Sequence, residues 1–346
     1  MRLHWFPAAA RLLRLTALIC LIAGLCTAGA SGAPVTEPQP VPLRLSVLEP
    51  EFKAFWAEAQ GKPIEQQLQV WDRLVEARHR DFYEIFVWDK AANPRWQERK
   101  RRLLGKMFAK YPALYPAMIA NFERFPATIA TQVARFRRSF PDAVFTGPIY
   151  AAPVASFNGK GGEGGSADGS GELTLAFGID LISERNDDVD ILYAHELFHI
   201  YHGKAAGIDE KVFAEQGRLT LPLWMEGFAT YVSGLLNPDK PDGELLMDAS
   251  LGRVAASERR WLAAEFLKVA GGKAVDEHGS LAFNQWFSAG ESKVRADLPS
   301  RCGYWLGLAV ARELAKTHPL DEMVRWRVPE IHRHMLEALQ ELARSN

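Results

Sequence analysis

The segment ILYAHELFHIYHG (191–203) places His195, Glu196, His199 and His202 close together. His195 and His199 are about one helical turn apart, so their imidazoles project from one face of a helix. Two nitrogens held that way can reach a single ion at about 2 Å each. Glu196 borders the same face, close enough to take a proton from water there without filling a coordination position. The surrounding residues are apolar around almost the whole circumference, so the helix is expected to be buried. Two imidazoles and a carboxylate are costly inside a core unless they are hydrogen-bonded or bound to a cation.

A catalytic zinc needs a third protein ligand and one open position. Downstream, LPLWMEGFATYVSGLL (221–236) reads as a second buried helix with one acid, Glu226. A buried carboxylate without a partner is disfavoured, and a cation would be that partner. Gly227 and Ala229 are small enough for close helix packing. One ion between the two helices would account for the charges in both, which makes Glu226 the third candidate ligand beside His195 and His199. The other titratable groups fit simpler roles. His202 is expected at the helix end, beside the C-terminal dipole. His332 and His334, two residues apart, are expected on the surface. Cys302 is expected to be an inert buried thiol.

H-E-x-x-H followed by W-x-E-G-x-A-x-Y resembles the gluzincin zinc metallopeptidases, especially predicted bacterial zinc-dependent proteases of uncharacterised domain families. A later G-Y-x-x-G segment of those families is matched by CGYWLG (302–307). The resemblance covers roughly residues 143–316. It implies a zincin-like fold, Zn2+ on His195, His199 and Glu226, Glu196 as general base, and Tyr304 as donor to the developing oxyanion. It also implies a peptide or protein substrate that pairs in extended form with the strand around 172–181. The spacing from His199 to Glu226 is longer than in the aminopeptidase and thermolysin-like branches. Met225 stands where the aminopeptidases commonly have asparagine, and no exopeptidase signature is present.

The elements that must hold these residues are mainly helical. Residues 50–142 carry apolar side chains at helical spacing, among them Phe52, Phe55, Trp56, Leu68, Trp71 and Leu74. Prolines at 63, 94, 112, 116, 126 and 141 are expected to cut this region into several helices. Trp71, Trp88 and Trp96 are read as core anchors. AVFTGPIYAAPVASF (143–157) reads as an irregular or edge strand. NGKGGEGGSADGSG (158–171) reads as an exposed loop. ELTLAFGIDL (172–181) alternates like a half-buried strand, so the simplest arrangement is a hairpin joined by the glycine-rich loop. The motif helix is expected to start at Asp187 or Asp188 and to stop at Gly203. Helices then continue to the C-terminus, broken near 237–243 and 271–273. The expected fold class is α+β, mostly helical, with a small β-hairpin or sheet packed beside the motif helix.

The N-terminus has its own pattern. Arg2, Arg11 and Arg14 precede the apolar run 15–30, which ends in Ala28-Gly29-Ala30, the pattern of a secretory signal peptide. Cleavage near Ala30 would remove Cys20 and Cys26 and leave only Cys302, so no disulfide framework is expected and thiolate ligands are excluded. The expected organisation is a signal peptide (1–30), a proline-rich linker (31–49), a helical region (50–142) and a zincin-like domain (143–346). The expected setting is periplasmic or secreted, with no stable membrane span after cleavage. A formal net charge of −1 gives no whole-chain attraction to nucleic acid. Besides an exported zinc peptidase, two further readings fit the residues. One is a zinc-stabilised scaffold without catalysis, and the other is a metal-dependent hydrolase of non-peptide amides.

Overall fold

A computed structural model describes residues 42–162, 172–274, 281–290 and 292–344. The expected signal peptide lies outside these residues, as do 31–41 of the linker and 163–171 of the glycine-rich segment. The remainder of that linker is ordered: Arg44–Val47 forms strand β1, and helix α1 (Glu49–Ala59) starts within it. Helices α2 (Ile64–Leu74), α3 (Trp96–Phe108) and α4 (Tyr111–Ser139) follow, with a short π-helical stretch at Phe82–Val87 before α3. Trp71 and Trp88 are fully buried, and both indole N–H groups donate to Glu76 Oε1, at 2.9 and 2.8 Å. Trp96 is only partly buried against this core.

Prolines 116 and 126 do not end a helix; α4 continues through both. Each proline removes one backbone hydrogen bond. The helix is held instead by its buried face: Phe122, Phe125 and Ile129 are packed in the core, with Phe125 edge-on to Tyr193 at 5.6 Å. Tertiary packing outweighs local propensity here.

Three further strands complete one sheet: β2 (Pro148–Ala152), β3 (Gly159–Gly162) and β4 (Thr174–Gly178), in the order β1-β2-β4-β3. The expected hairpin between the 143–157 and 172–181 segments is not formed, because β2 and β4 pair in parallel. The antiparallel partner of β4 is β3, drawn from the glycine-rich segment expected to be an exposed loop. Gly159 and Gly161 of β3 are buried, and a Cβ on Gly161 would come within 2.7 Å of Ile200 Cδ1. The glycines therefore let an edge strand lie against a helix more closely than any side chain allows.

The alternation of 172–181 also stops early. β4 is buried at every position, and Ile179 and Leu181 belong to helix α5 (Ile179–Arg185). Asp180 fixes that switch, since its carboxylate accepts from the amides of Val154, Ala155 and Leu181 at 2.8–3.1 Å. Burial pushes the Asp180 carboxyl up to about 6.

The motif helix is α6 (Val189–Ala206). Asp188 caps its start through the amides of Asp190 and Ile191, and left-handed Gly207 ends it at φ 63°. Gly203 is inside the helix, so the stop lies four residues beyond the expected one. Then come α7 (Glu210–Gln216), α8 (Thr220–Leu236), α9 (Asp242–Leu245), α10 (Glu258–Leu267), α11 (Leu281–Phe287), α12 (Cys302–Leu314), α13 (Leu320–Met323) and α14 (Val328–Arg344). The class is α+β, with a small sheet beside α6. One continuous apolar cluster runs from Leu48 to Leu342. Among the described residues no helix is long and apolar enough to cross a membrane.

Candidate metal centre

Helix α8 is clamped between α6 and α12. The contact with α12 is glycine on glycine: a Cβ on Gly227 would run into the Gly307 backbone. That approach sets the axis of α8 and aims Glu226 at the histidine face of α6. His195 Nε2 lies 2.9 Å from His199 Nε2 and 3.3 Å from Glu226 Oε2, and His199 Nε2 lies 3.7 Å from the same oxygen. Three donors on a tetrahedral ion with bonds of about 2 Å are separated by about 3.3 Å, and these distances bracket that value. All three side chains are buried, at 0 to 2% exposure.

The electrostatics agree with a cation site. Burial pulls the His195 imidazole down, and it favours the neutral form a metal ligand needs. For Glu226, burial acts to raise the carboxyl. The His199 charge and the hydrogen bonds with both imidazoles outweigh it and hold the carboxyl well below its usual range. Burial opposes protonation of His199, while Glu226 favours it and prevails. The carboxylate thus demands positive charge at the point where the two Nε2 atoms meet, and a divalent ion would supply it. The outer nitrogen of His195, Nδ1, is buried without a hydrogen-bond partner among the described residues. Nitrogen and oxygen donors without thiolates suit zinc, and the three residues fit such an ion.

Glu196 projects beside this group and does not join it. It is 3% exposed, and burial pushes its carboxyl up to about 7. It faces β3, where a Cβ on Gly159 would lie 2.6 Å from both its Cγ and its Oε1. Tyr304, in the first turn of α12, is also buried. Burial and the negative charge of Glu226 raise its phenol well above the ordinary tyrosine value. The structure therefore gathers all five residues singled out from the sequence, with Tyr304 reaching the group through Glu226.

Other expectations are corrected. His202 is not at a helix end. It is fully buried, stacked on Phe198 at 5.3 Å, and takes a 3.4 Å hydrogen bond from the Trp224 indole. His334 is buried against Trp326 rather than on the surface, with ring planes 14° apart. His332 bonds the Thr220 hydroxyl at 2.8 Å. Cys302 is buried as expected, with its thiol pushed up to about 11 by burial. The strand around 174–178 has β2 on one side and β3 on the other, so it offers no free edge; β3 occupies the edge of the sheet. Gly159 and Arg301 were not singled out from the sequence. An N-G-K-G-G run looks like a loop, and nothing in a sequence marks an arginine whose guanidinium is buried with only part of its donors paired.

No family model matches this chain, and no curated protein or solved structure matches it either. The functional reading therefore rests on the residues of the site.

Proposed function

We propose that the protein is a zinc-dependent peptidase in which His195, His199 and Glu226 hold the ion. The observation that carries this reading is the meeting of His195 Nε2, His199 Nε2 and Glu226 Oε2 at 2.9–3.7 Å, with Glu196 beside them and uncommitted to the group. Zinc held there would acidify a water and polarise a scissile carbonyl.

Glu196 lies beside the three ligands without joining them, the place a general base would take, accepting a proton during attack and returning it to the leaving amine. The Tyr304 phenol stays protonated, and turned from Glu226 toward a bound substrate it would donate a hydrogen bond to the developing oxyanion. β3 offers an edge for an extended peptide. A cavity of about 200 Å³ is bordered by His199, Ile200, Gly203 and Lys204 of α6 and by Gly162 and Leu173. The basic and then apolar pattern of residues 1–30 supports an exported setting.

A second reading, a zinc-stabilised protein without catalysis, is favoured by the near-complete burial of the site. The cavity at His199 and the uncommitted carboxylate of Glu196 weigh against it, because a structural site needs neither. The test is to compare wild type with Glu196→Gln on a mixed peptide library and on small non-peptide amides, with metal content measured in both. Retained zinc with peptide turnover lost only in the variant is the expected result. Equal turnover in both would remove Glu196 as the base. Turnover of the small amides alone would move the reading to a non-peptide amidase.

A further inference from the structure

Arg301 is a buried cation beside the metal centre, and the function proposed above does not use it. It is 4% exposed, and its Nε and Nη2 have no hydrogen-bond partner among the described residues. Its charge bears on His195, Tyr304 and Asp187. The guanidinium lies 4.0 Å from the centroid of the Tyr304 ring, and that face contact offsets part of the burial cost. A buried arginine still calls for an anion.

The nearby acids make their hydrogen bonds with other residues. Glu226 is held by the two histidines, and Asp187 accepts from Asn158 Nδ2 at 2.8 Å. The unused atoms also have a particular shape. Nε and Nη2 form one edge of the guanidinium, whose two parallel N–H groups match both oxygens of a carboxylate.

One further observation agrees with an anion at this point. Arg301 is the N-cap of α12, a 13-residue helix without a side-chain cap, so the positive end of the helix dipole begins at this residue.

We infer that Arg301 and the N-terminus of α12 form a carboxylate-binding subsite next to the metal centre. The preferred substrates are then peptides with a carboxylate close to the cleaved bond. Two sources share this chemistry: the free C-terminus of a peptide and the side chain of an aspartate or glutamate. The inference rests on the peptidase reading for what happens next door, but binding of the carboxylate does not require turnover.

The test is calorimetric binding to the Glu196→Gln protein, with zinc content measured on the same samples. Three probes suffice: N-acetyl-trialanine with a free C-terminus, its C-terminal amide, and that amide with the central alanine replaced by glutamate. One of the carboxylate probes is expected to bind about tenfold tighter than the plain amide. Preference for the free acid identifies a C-terminal subsite, and preference for the glutamate probe identifies a side-chain subsite. Arg301→Met is expected to bring the preferred probe down to the affinity of the plain amide, while Arg301→Lys keeps part of the difference.

Equal binding of all three probes would overturn the inference without any variant. A full preference surviving in a folded Arg301→Met protein would overturn it too. The two readings fail separately. Metal-free protein that still prefers the carboxylate keeps the subsite and defeats the peptidase. Zinc-loaded protein without a preference does the reverse.

Discussion

Gly159 and Glu196 are in such close register that a single methyl group added at Gly159 would lie 2.6 Å from the glutamate's Cγ and Oε1. The edge strand and the motif helix thus meet at the carboxylate proposed as the general base, and the missing side chain leaves that carboxylate its room. Gly159→Ala is expected to force Glu196 to another rotamer, at an overpacking cost of about 1–3 kcal/mol. Zinc content should remain near wild type while peptide turnover falls by at least about tenfold. A Gly159→Ala protein with unchanged turnover would show that Glu196 can give way without leaving the reaction.

The contact between Gly227 and Gly307 carries a stability prediction. A Cβ on either glycine would strike the backbone of the other helix, and backbone cannot rotate aside as a side chain can. Gly227→Ala should therefore separate α8 from α12 and displace Glu226. A loss of about 3 kcal/mol or more is expected in urea unfolding, together with weaker zinc retention. A fully stable Gly227→Ala protein would mean that the two helices are not held as closely as described.

His202 predicts how stability responds to acid. Burial pushes it down to about 3, with a further lowering from His199. The folded state therefore keeps this ring neutral where the unfolded chain, titrating near 6.5, binds a proton. The stability contributed by the neutral ring is fully present above about pH 6.5 and is lost progressively as pH falls toward 3. The slope is roughly 1.4 kcal/mol per pH unit within that window. His202→Phe removes this one titration and leaves the metal ligands in place. Urea unfolding of both proteins at pH 7, 6 and 5 should show the wild type losing ground against the variant as pH falls. Parallel pH curves would contradict the prediction.

Parts of the site were legible because local pattern and chemistry coincide there. α6 and α8 are apolar on all sides yet contain His195, Glu196, His199 and Glu226, and buried charge of that kind points to its own partner. The capping residue Asp188 was readable for the same local reason. What could not be read depends on long-range contact. Glycine-rich 159–162 has no side chains to show a strand pattern; pairing with β4 and packing on α6 make it one. The prolines at 116 and 126 looked like breaks, and only the buried face of α4 overrides them. Ile179 and Leu181 continued the alternation of β4, although hydrogen bonds to Asp180 turn the chain into α5. His334 is buried by an aromatic stack with Trp326, which spacing along one helix cannot reveal.

The central claim is that His195, His199 and Glu226 together hold one zinc ion. The most direct measurement is elemental analysis of the purified protein beside Glu226→Ala and Glu196→Gln, each after exposure to zinc and removal of the excess. The account predicts close to one zinc per chain in wild type and in Glu196→Gln, and far less in Glu226→Ala. No zinc in any of the three, or equal zinc in all, would contradict it.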